Sequence, residues 1–377
     1  MATGIDTVPT NTRVPGAYFG FDTRTGVRSA GVARQNVIVM GEKLPTGAAD
    51  TNVVYDIVEE SDAVTLFGDG SDIHVALRAA MRQYSFGAYH AIAVGKIEDA
   101  DGGTDPIPLN ENGATLDIAA AMEVMKRATY NIIVFPFLDD DSITALKNHI
   151  DEASDAINQQ AVIAVLANSA DKTALKALAA KINHNRIVLV GYKLISDTSQ
   201  IEVAAAVAAN ILSQPDPALP FDGDVLIPIN TILPNDNWTR NEQEYLLNVG
   251  VTPIERLSGG QTAIVRLIST QTNGASADSP DLWIRTLDYV RERMLIVYKE
   301  NFGKTKLSNR IPDAVRSVFL GEAKSLENAE IVKNVDLWKD NLTVVKSQLN
   351  QGFLEARIPA DCVLGLHGVI GYVELRI

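Results

Sequence analysis

Between about residues 36 and 212 the chain repeats one rhythm: a short run of consecutive apolar residues, a turn, then a segment of helical period. The runs are Asn36 to Met40, His90 to Val94, Asn131 to Phe135, Ala161 to Leu166 and Arg186 to Val190. Strands this uniformly apolar are buried on both faces, which marks a largely parallel sheet with helices on either side. The spacing predicts helices over Ser61–Phe67, Asp72–Tyr84, Ser142–Ile157, 171–182 and 201–212, with Ile143, Leu146, Ile150 and Ile157 on one face of the third. The fold class expected is α/β, a doubly wound and mostly parallel sheet.

Five prolines, Pro215, Pro217, Pro220, Pro228 and Pro234, exclude regular helix over much of the following stretch, which reads as a crossing segment. Val251–Glu255 and Thr262–Ser269, separated by Ser258-Gly259-Gly260, predict a hairpin, and the polar run Thr270–Ser279 a boundary. Ser279 as cap, Pro280 in the first turn and Asp281 at the positive end of the dipole announce a helix to Phe302. Leu287, Val290, Met294, Val297, Tyr298 and Phe302 form its apolar stripe. A further helix over Asp313–Leu326 and strands over Leu342–Leu349 and Phe353–Ile358 complete a smaller α+β unit.

Both extremities are extended and apolar. At the carboxyl end Val369, Gly371, Val373, Leu375 and Ile377 share one face of a strand, with Ile370, Tyr372, Glu374 and Arg376 on the other. At the amino end, within Arg13–Gly20, Pro15 pushes Val14 out of the helical region, beside Gly16, Tyr18 and Phe19. A lone strand exposes unpaired groups along both edges, so each arm must pair, within its own chain or with another copy. The resulting division is an arm at 1–20, an α/β domain at 21–275, an α+β domain at 276–364 and a carboxyl-terminal β arm at 365–377.

Charged residues make up 21% and hydrophobic residues 46% of 377, as in folded soluble proteins. The start of the chain has neither a basic nor an apolar leader region, which predicts a protein made and used in a cytoplasm. The only cysteine, Cys362, is expected in a strand as a small core residue. The formal charge of -14 disfavours nucleic acid and anionic membrane as partners. Its distribution is uneven: residues 281–377 hold 14 Lys+Arg against 13 Asp+Glu, leaving 19 against 34 for residues 1–280.

Tested for chemistry, the sequence offers little. Gly68-Asp69-Gly70-Ser71 follows a helical segment rather than a strand and lacks the third glycine of a dinucleotide loop, so it reads as a turn with Ser71 or Asp72 capping the next helix. Ser258-Gly259-Gly260-Gln261 has no lysine for a phosphate. Asp139-Asp140-Asp141 follows a strand at the edge where ligands such as Mg²⁺ bind, but it also opens a helix, where acids serve as caps. His74, His90, His149, His184 and His367 show no paired-ligand spacing, and no nucleophile with a base is visible. Asn237-Trp238-Thr239 and Asn341-Leu342-Thr343 match a glycosylation acceptor without a secretory route. No catalytic residue, cofactor or metal is expected. A nucleotide- or sugar-phosphate-binding enzyme on the same scaffold is the alternative from another class, and it predicts a saturable thermal shift with small ligands.

A resemblance changes this picture. Arg13-Val14-Pro15-Gly16-Ala17-Tyr18, Arg34–Gly41 with Gly47 beyond it, Ser61–Ser71, and Asp288-Tyr289-Val290-Arg291 through Asn301-Phe302 are similar to the contractile tail sheath proteins of phages, within them to those of Mu-like phages. The likeness runs in order over nearly the whole chain. It implies a non-enzymatic structural subunit that polymerises helically around a tail tube and contracts to drive the tube through a host envelope. Implied partners are further copies of the chain, the tail tube protein, and baseplate and tail terminator proteins. The implied place is the virion, after assembly in the host cytoplasm; a tailocin or a cellular injection device would share the same machine. The resemblance also implies that the carboxyl-terminal unit faces the tube and the α/β unit lies outside. The six bases Arg285, Arg291, Arg293, Lys299, Lys304 and Lys306, set against four acids between Asp281 and Lys306, are then expected to touch an acidic tube.

Overall fold

The computed structural model describes residues 36–96, 116–272, 282–348, 350–363, 365 and 367. The first apolar run is β1 (Asn36–Gly41), followed by β2 (Val54–Ile57), α1 (Glu60–Phe67), α2 (Asp72–Gln83) and β3 (Ala88–Ala93). Then come α3 (Ile118–Met125), β4 (Ile132–Val134), α4 (Asp140–Ser154), β5 (Ile163–Ser169), α5 (Lys172–Ile182), β6 (Ile187–Tyr192) and α6 (Gln200–Ser213). After the proline-rich crossing, α7 (Arg240–Asn248), β7 (Thr252–Arg256) and β8 (Thr262–Ile264) close one eight-stranded sheet of order β2-β3-β1-β4-β5-β6-β7-β8. From β3 to β7 the pairs are parallel; only the edge strands β2 and β8 run antiparallel to their neighbours.

The unbroken apolar runs have the reason the pattern implied. Val37 and Val39, Ile132 and Val134, Val165 and Ala167, and Val188 and Val190 face a core under α1, α2 and α6. The alternate residues Ile38 and Met40, Ile133, Ala164 and Leu166, and Ile187 and Leu189 face a second core under α3, α4, α5 and α7. Helix α6 is buried almost all round from Val203 to Ile211, and its run of alanines lets it pack between the sheet and α2.

The helix starts are set locally. Ser71 accepts from the His74 backbone N–H and Asp139 from that of Ser142, so the glycine turn and the acidic triplet both serve as caps. Helix α4 ends at Ser154, short of the expected Ile157, which is left exposed beyond it. The expected strand over Thr262–Ser269 is shorter, ending at Ile264. Gly47 packs its backbone on the end of α1: a side chain there would meet Leu66 O and Phe67 C at 2.6 Å.

The second unit consists of α8 (Ile284–Phe302), α9 (Ile311–Asn328), the single turn α10 (Val335–Trp338), and the antiparallel pair β9 (Thr343–Lys346) and β10 (Leu354–Arg357). Phe319 lies in its core with Val290, Met294, Val315, Val335, Trp338 and Val344. Ser279, Pro280 and Asp281 lie outside the described residues; the described helix opens at Ile284 after Trp283. Cys362 is fully buried, in an isolated bridge to Val332 rather than a longer strand.

Two outcomes follow from buried detail. Burial pulls His149 down from 6.5 to about 4, and the neutral ring accepts from the Tyr130 hydroxyl. The unfolded chain therefore takes up a proton near pH 6.5 that the folded chain refuses until about pH 4. Stability should fall by about 1.4 kcal/mol per pH unit across that window. In urea titrations at several pH values, His149→Gln should lack this component. Gly47→Ala should cost about 1–3 kcal/mol by the same method, because backbone cannot move aside as a side chain can.

Candidate inter-subunit and tube-facing surfaces

Arg285, Asp288 and Arg291 stand three residues apart on α8 and so share a face. That face is turned inward. The Asp288 carboxylate accepts from Arg186 Nη1 at 2.6 Å and Nη2 at 3.0 Å, and from Arg291 Nη2 at 3.0 Å. Arg291 Nη1 also donates to Ser154 O, the last residue of α4, at 3.0 Å. Arg285 Nη2 donates to Gln214 O at 3.2 Å and Ile211 O at 3.4 Å, at the carboxyl end of α6, while its guanidinium lies 5.1 Å above the Phe221 ring. The carboxyl ends of α4 and α6, the negative ends of their dipoles, thus each receive a cation from α8. Burial lowers Arg285 to about 10, and its Nε and Nη1 have no hydrogen-bond partner.

The same helix is shared between cores: Ile284, with Leu282 just before the helix, belongs to the sheet-side core, and Val290, Met294 and Val297 to that of the second unit. The expected set of tube-facing cations is therefore corrected at two positions. Arg285 and Arg291 are 3% and 4% exposed, because they neutralise helix ends and a buried carboxylate. Arg293 is half-buried and bonded to Glu322 of α9 at 2.6 Å. Lys299, Lys304 and Lys306 are exposed and carry no ion pair among the described residues.

Of the two expected arms, Val14, Pro15, Gly16, Tyr18 and Phe19, and Val369, Gly371, Tyr372, Val373, Leu375 and Ile377, all lie outside the described residues. What the structure describes nearby is a small two-stranded sheet. Strands β9 and β10 pair only with each other among the described residues, leaving each with an outer edge. Val344 enters the core, whereas Thr343, Val345 and Lys346 are exposed, and Leu354 and Ala356 alternate with exposed Glu355 and Arg357. One side of the pair thus rests on α9.

Other polar groups serve the fold. Gly70 N–H donates to His74 Nδ1, His184 Nδ1 accepts from the Arg186 backbone, and His90 meets Asp56 at 2.7 Å. A cavity of about 350 Å³ beyond the carboxyl ends of β5 and β6 is lined by Ala170, Asp171, Lys172, Lys193, Trp238 and Glu242. Lys193 there already pairs with Glu242 at 3.3 Å and lies 4.7 Å above the Trp238 ring. Among the described residues no three His, Cys, Asp or Glu side chains are grouped to hold a metal ion, and no helix is long and apolar enough to cross a membrane.

Residues 112–270 match the family model described as the phage tail sheath protein central domain. A comparison with curated proteins gives no match. Among solved structures, a chain of the anti-feeding prophage baseplate superposes with a TM-score of 0.64 at 13% identity, over 97% of this chain and 100% of that one. A chain of the contracted PVC sheath complex, an extracellular contractile injection system, gives 0.62 at 13% identity over 98% and 99%. The sheath tail protein from Desulfitobacterium hafniense gives 0.59 at 13% identity over 83% and 90%. At such identities the structural likeness is one of fold. Together with the family model it supports the contractile tail sheath family read from the sequence.

The joint is open to a direct check. Asp288→Asn leaves Arg186 and Arg291 buried without their counter-charge and should cost about 3–5 kcal/mol in urea unfolding. Lys304→Ala, on the surface, should stay within about 0.5 kcal/mol.

Proposed function

We propose that this chain is the subunit of a contractile sheath, which polymerises helically around a tail tube and drives it through an envelope on contraction. The observation that carries this reading is the β9–β10 pair, a two-stranded sheet with both outer edges unpaired among the described residues, in a chain whose extremities have strand-like sequences. A donated strand gains main-chain hydrogen bonds, while its alternate side chains fix register. A head-to-tail contact of this kind whose rotation does not close builds a helix of any length.

In this reading residues 21–275 form the outer unit, 276–364 the inner one, and 1–20 and 365–377 the exchanged arms. The acidic balance of residues 1–280 then lies toward solvent, where it repels unwanted association. Lys299, Lys304 and Lys306 are the exposed cations that face the tube. Exposed pairs of this sort are worth about 0–1 kcal/mol each, which suits a contact that holds by repetition and releases during contraction. The extended sheath is a metastable assembly held by a barrier, and contraction proceeds by rotation of subunits past one another without nucleotide. Baseplate and terminator proteins cap the two ends. The role is structural rather than catalytic, in a phage tail or a related injection device.

Deletion of residues 369–377 should leave a folded α/β unit that sediments as a monomer, while the full chain forms wide hollow tubes in negative-stain microscopy. Tubes of normal appearance from the truncated chain would overturn strand donation.

A further inference from the structure

The last described residues of the chain make contacts that strand donation alone does not require. Lys333 N–H donates to Asp361 O at 2.6 Å, and Val363 N–H to Ile331 O at 3.4 Å, so residues 361–363 are tied to the inner unit just after α9. Four residues later the chain is on the other unit. His367 Nδ1 meets Asp222 Oδ2 at 2.6 Å, across 145 positions of sequence, with both side chains about three-quarters enclosed. Gly365 is the reason the chain can come so close: a side chain there would meet Pro220 Cβ at 3.1 Å and the His367 ring at 3.3 Å. The other carboxylate oxygen, Asp222 Oδ1, is enclosed without a hydrogen-bond partner, so the carboxylate's bonding at this place rests on Oδ2.

We infer that Asp361, Cys362, Val363, Gly365 and His367 anchor the chain as a strap, from the inner unit to the proline-rich segment of the same chain's outer unit, and fix where the carboxyl-terminal strand departs. Asp222, Pro220, Gly365 and His367 are its positioning residues. The inference rests on the strand-donation reading and deepens it: the donated piece begins beyond His367, and its root stays on the parent subunit when copies join. Two anchors, one on each unit, give the departing strand a fixed direction, whereas one anchor would leave it free to swing. Fixing the direction beforehand lowers the ordering cost of each joint.

The test places one bond across the strap. In a Cys362→Ala chain, which removes the only other thiol, Pro220→Cys and Gly365→Cys place two β-carbons 3.1 Å apart, so a shift of a few tenths of an ångström brings them to the roughly 3.5–4.5 Å that a disulfide spans. Oxidation should form the bond within single, unassembled chains, read as a mass lower by two hydrogens. The locked chain should then form tubes to the same extent as the Cys362→Ala parent, with or without reductant. Failure of the bond to form, or tubes that appear only after reduction, would overturn the inference. Asp222→Asn gives a second reading without cysteines. Hydrogen exchange at Gly365–His367 should rise about two- to fivefold while that at 361–363 is unchanged, and no rise would equally overturn it. Both readings are taken on the unassembled chain as well, so they separate the strap from strand donation, which the truncation decides.

Discussion

The relation between the two units depends on one carboxylate. Asp288 binds Arg186 from the sheet unit and Arg291 from its own helix, and Arg291 in turn holds the last carbonyl of α4. A buried charge pair adds little stability over a well-packed apolar equivalent, because desolvation cancels most of the attraction. Its value lies in direction. Apolar surfaces can slide against one another, while a carboxylate bonded to two guanidinium groups accepts only one placement of α8 across the helix ends. Arg285 repeats the device at α6, where its cation meets the carbonyls of Ile211 and Gln214.

That arrangement needs a rigid platform, and the sheet supplies it. Each central strand sends alternate residues into two apolar cores, so no strand can slip by one residue without exchanging every side chain between them. The carboxyl ends of α4 and α6 are thereby held in place for the arginines of α8. A single helix then belongs to both hydrophobic cores, with Ile284 on one side and Met294 on the other. The small β9–β10 sheet rests on α9 and inherits this frame.

Much of this frame was legible along the chain. The five apolar runs became strands β1, β3, β4, β5 and β6, and the glycine turn, the acidic triplet and the hairpin took the roles their local chemistry dictated. Short elements were passed over. Strand β2 is an edge of four residues with polar Asp56 in it, too brief for a clear alternation. Helix α7 did carry a signal, since Thr239 and Glu242 bond each other's backbone in a capping box, but it followed a proline-rich stretch that reads as irregular. Of the six cations expected to touch a tube, Lys299, Lys304 and Lys306 are exposed, while Arg285 and Arg291 lie inside, against groups far off in sequence that local spacing does not reveal.

What the sequence determined by itself was therefore everything that depends on neighbours within a few residues: periods, caps, turns, and the uneven distribution of charge. Helical spacing places Arg285, Asp288 and Arg291 on a common face, but it says nothing of what that face will meet. Only the tertiary structure brought Arg186, the end of α4 and the end of α6 to that face, from 71 to 137 positions away in sequence. A cation near water and a cation against helix carbonyls are the same residue in the chain. The difference between a surface for a partner and a joint within the subunit is made by the groups that folding places opposite.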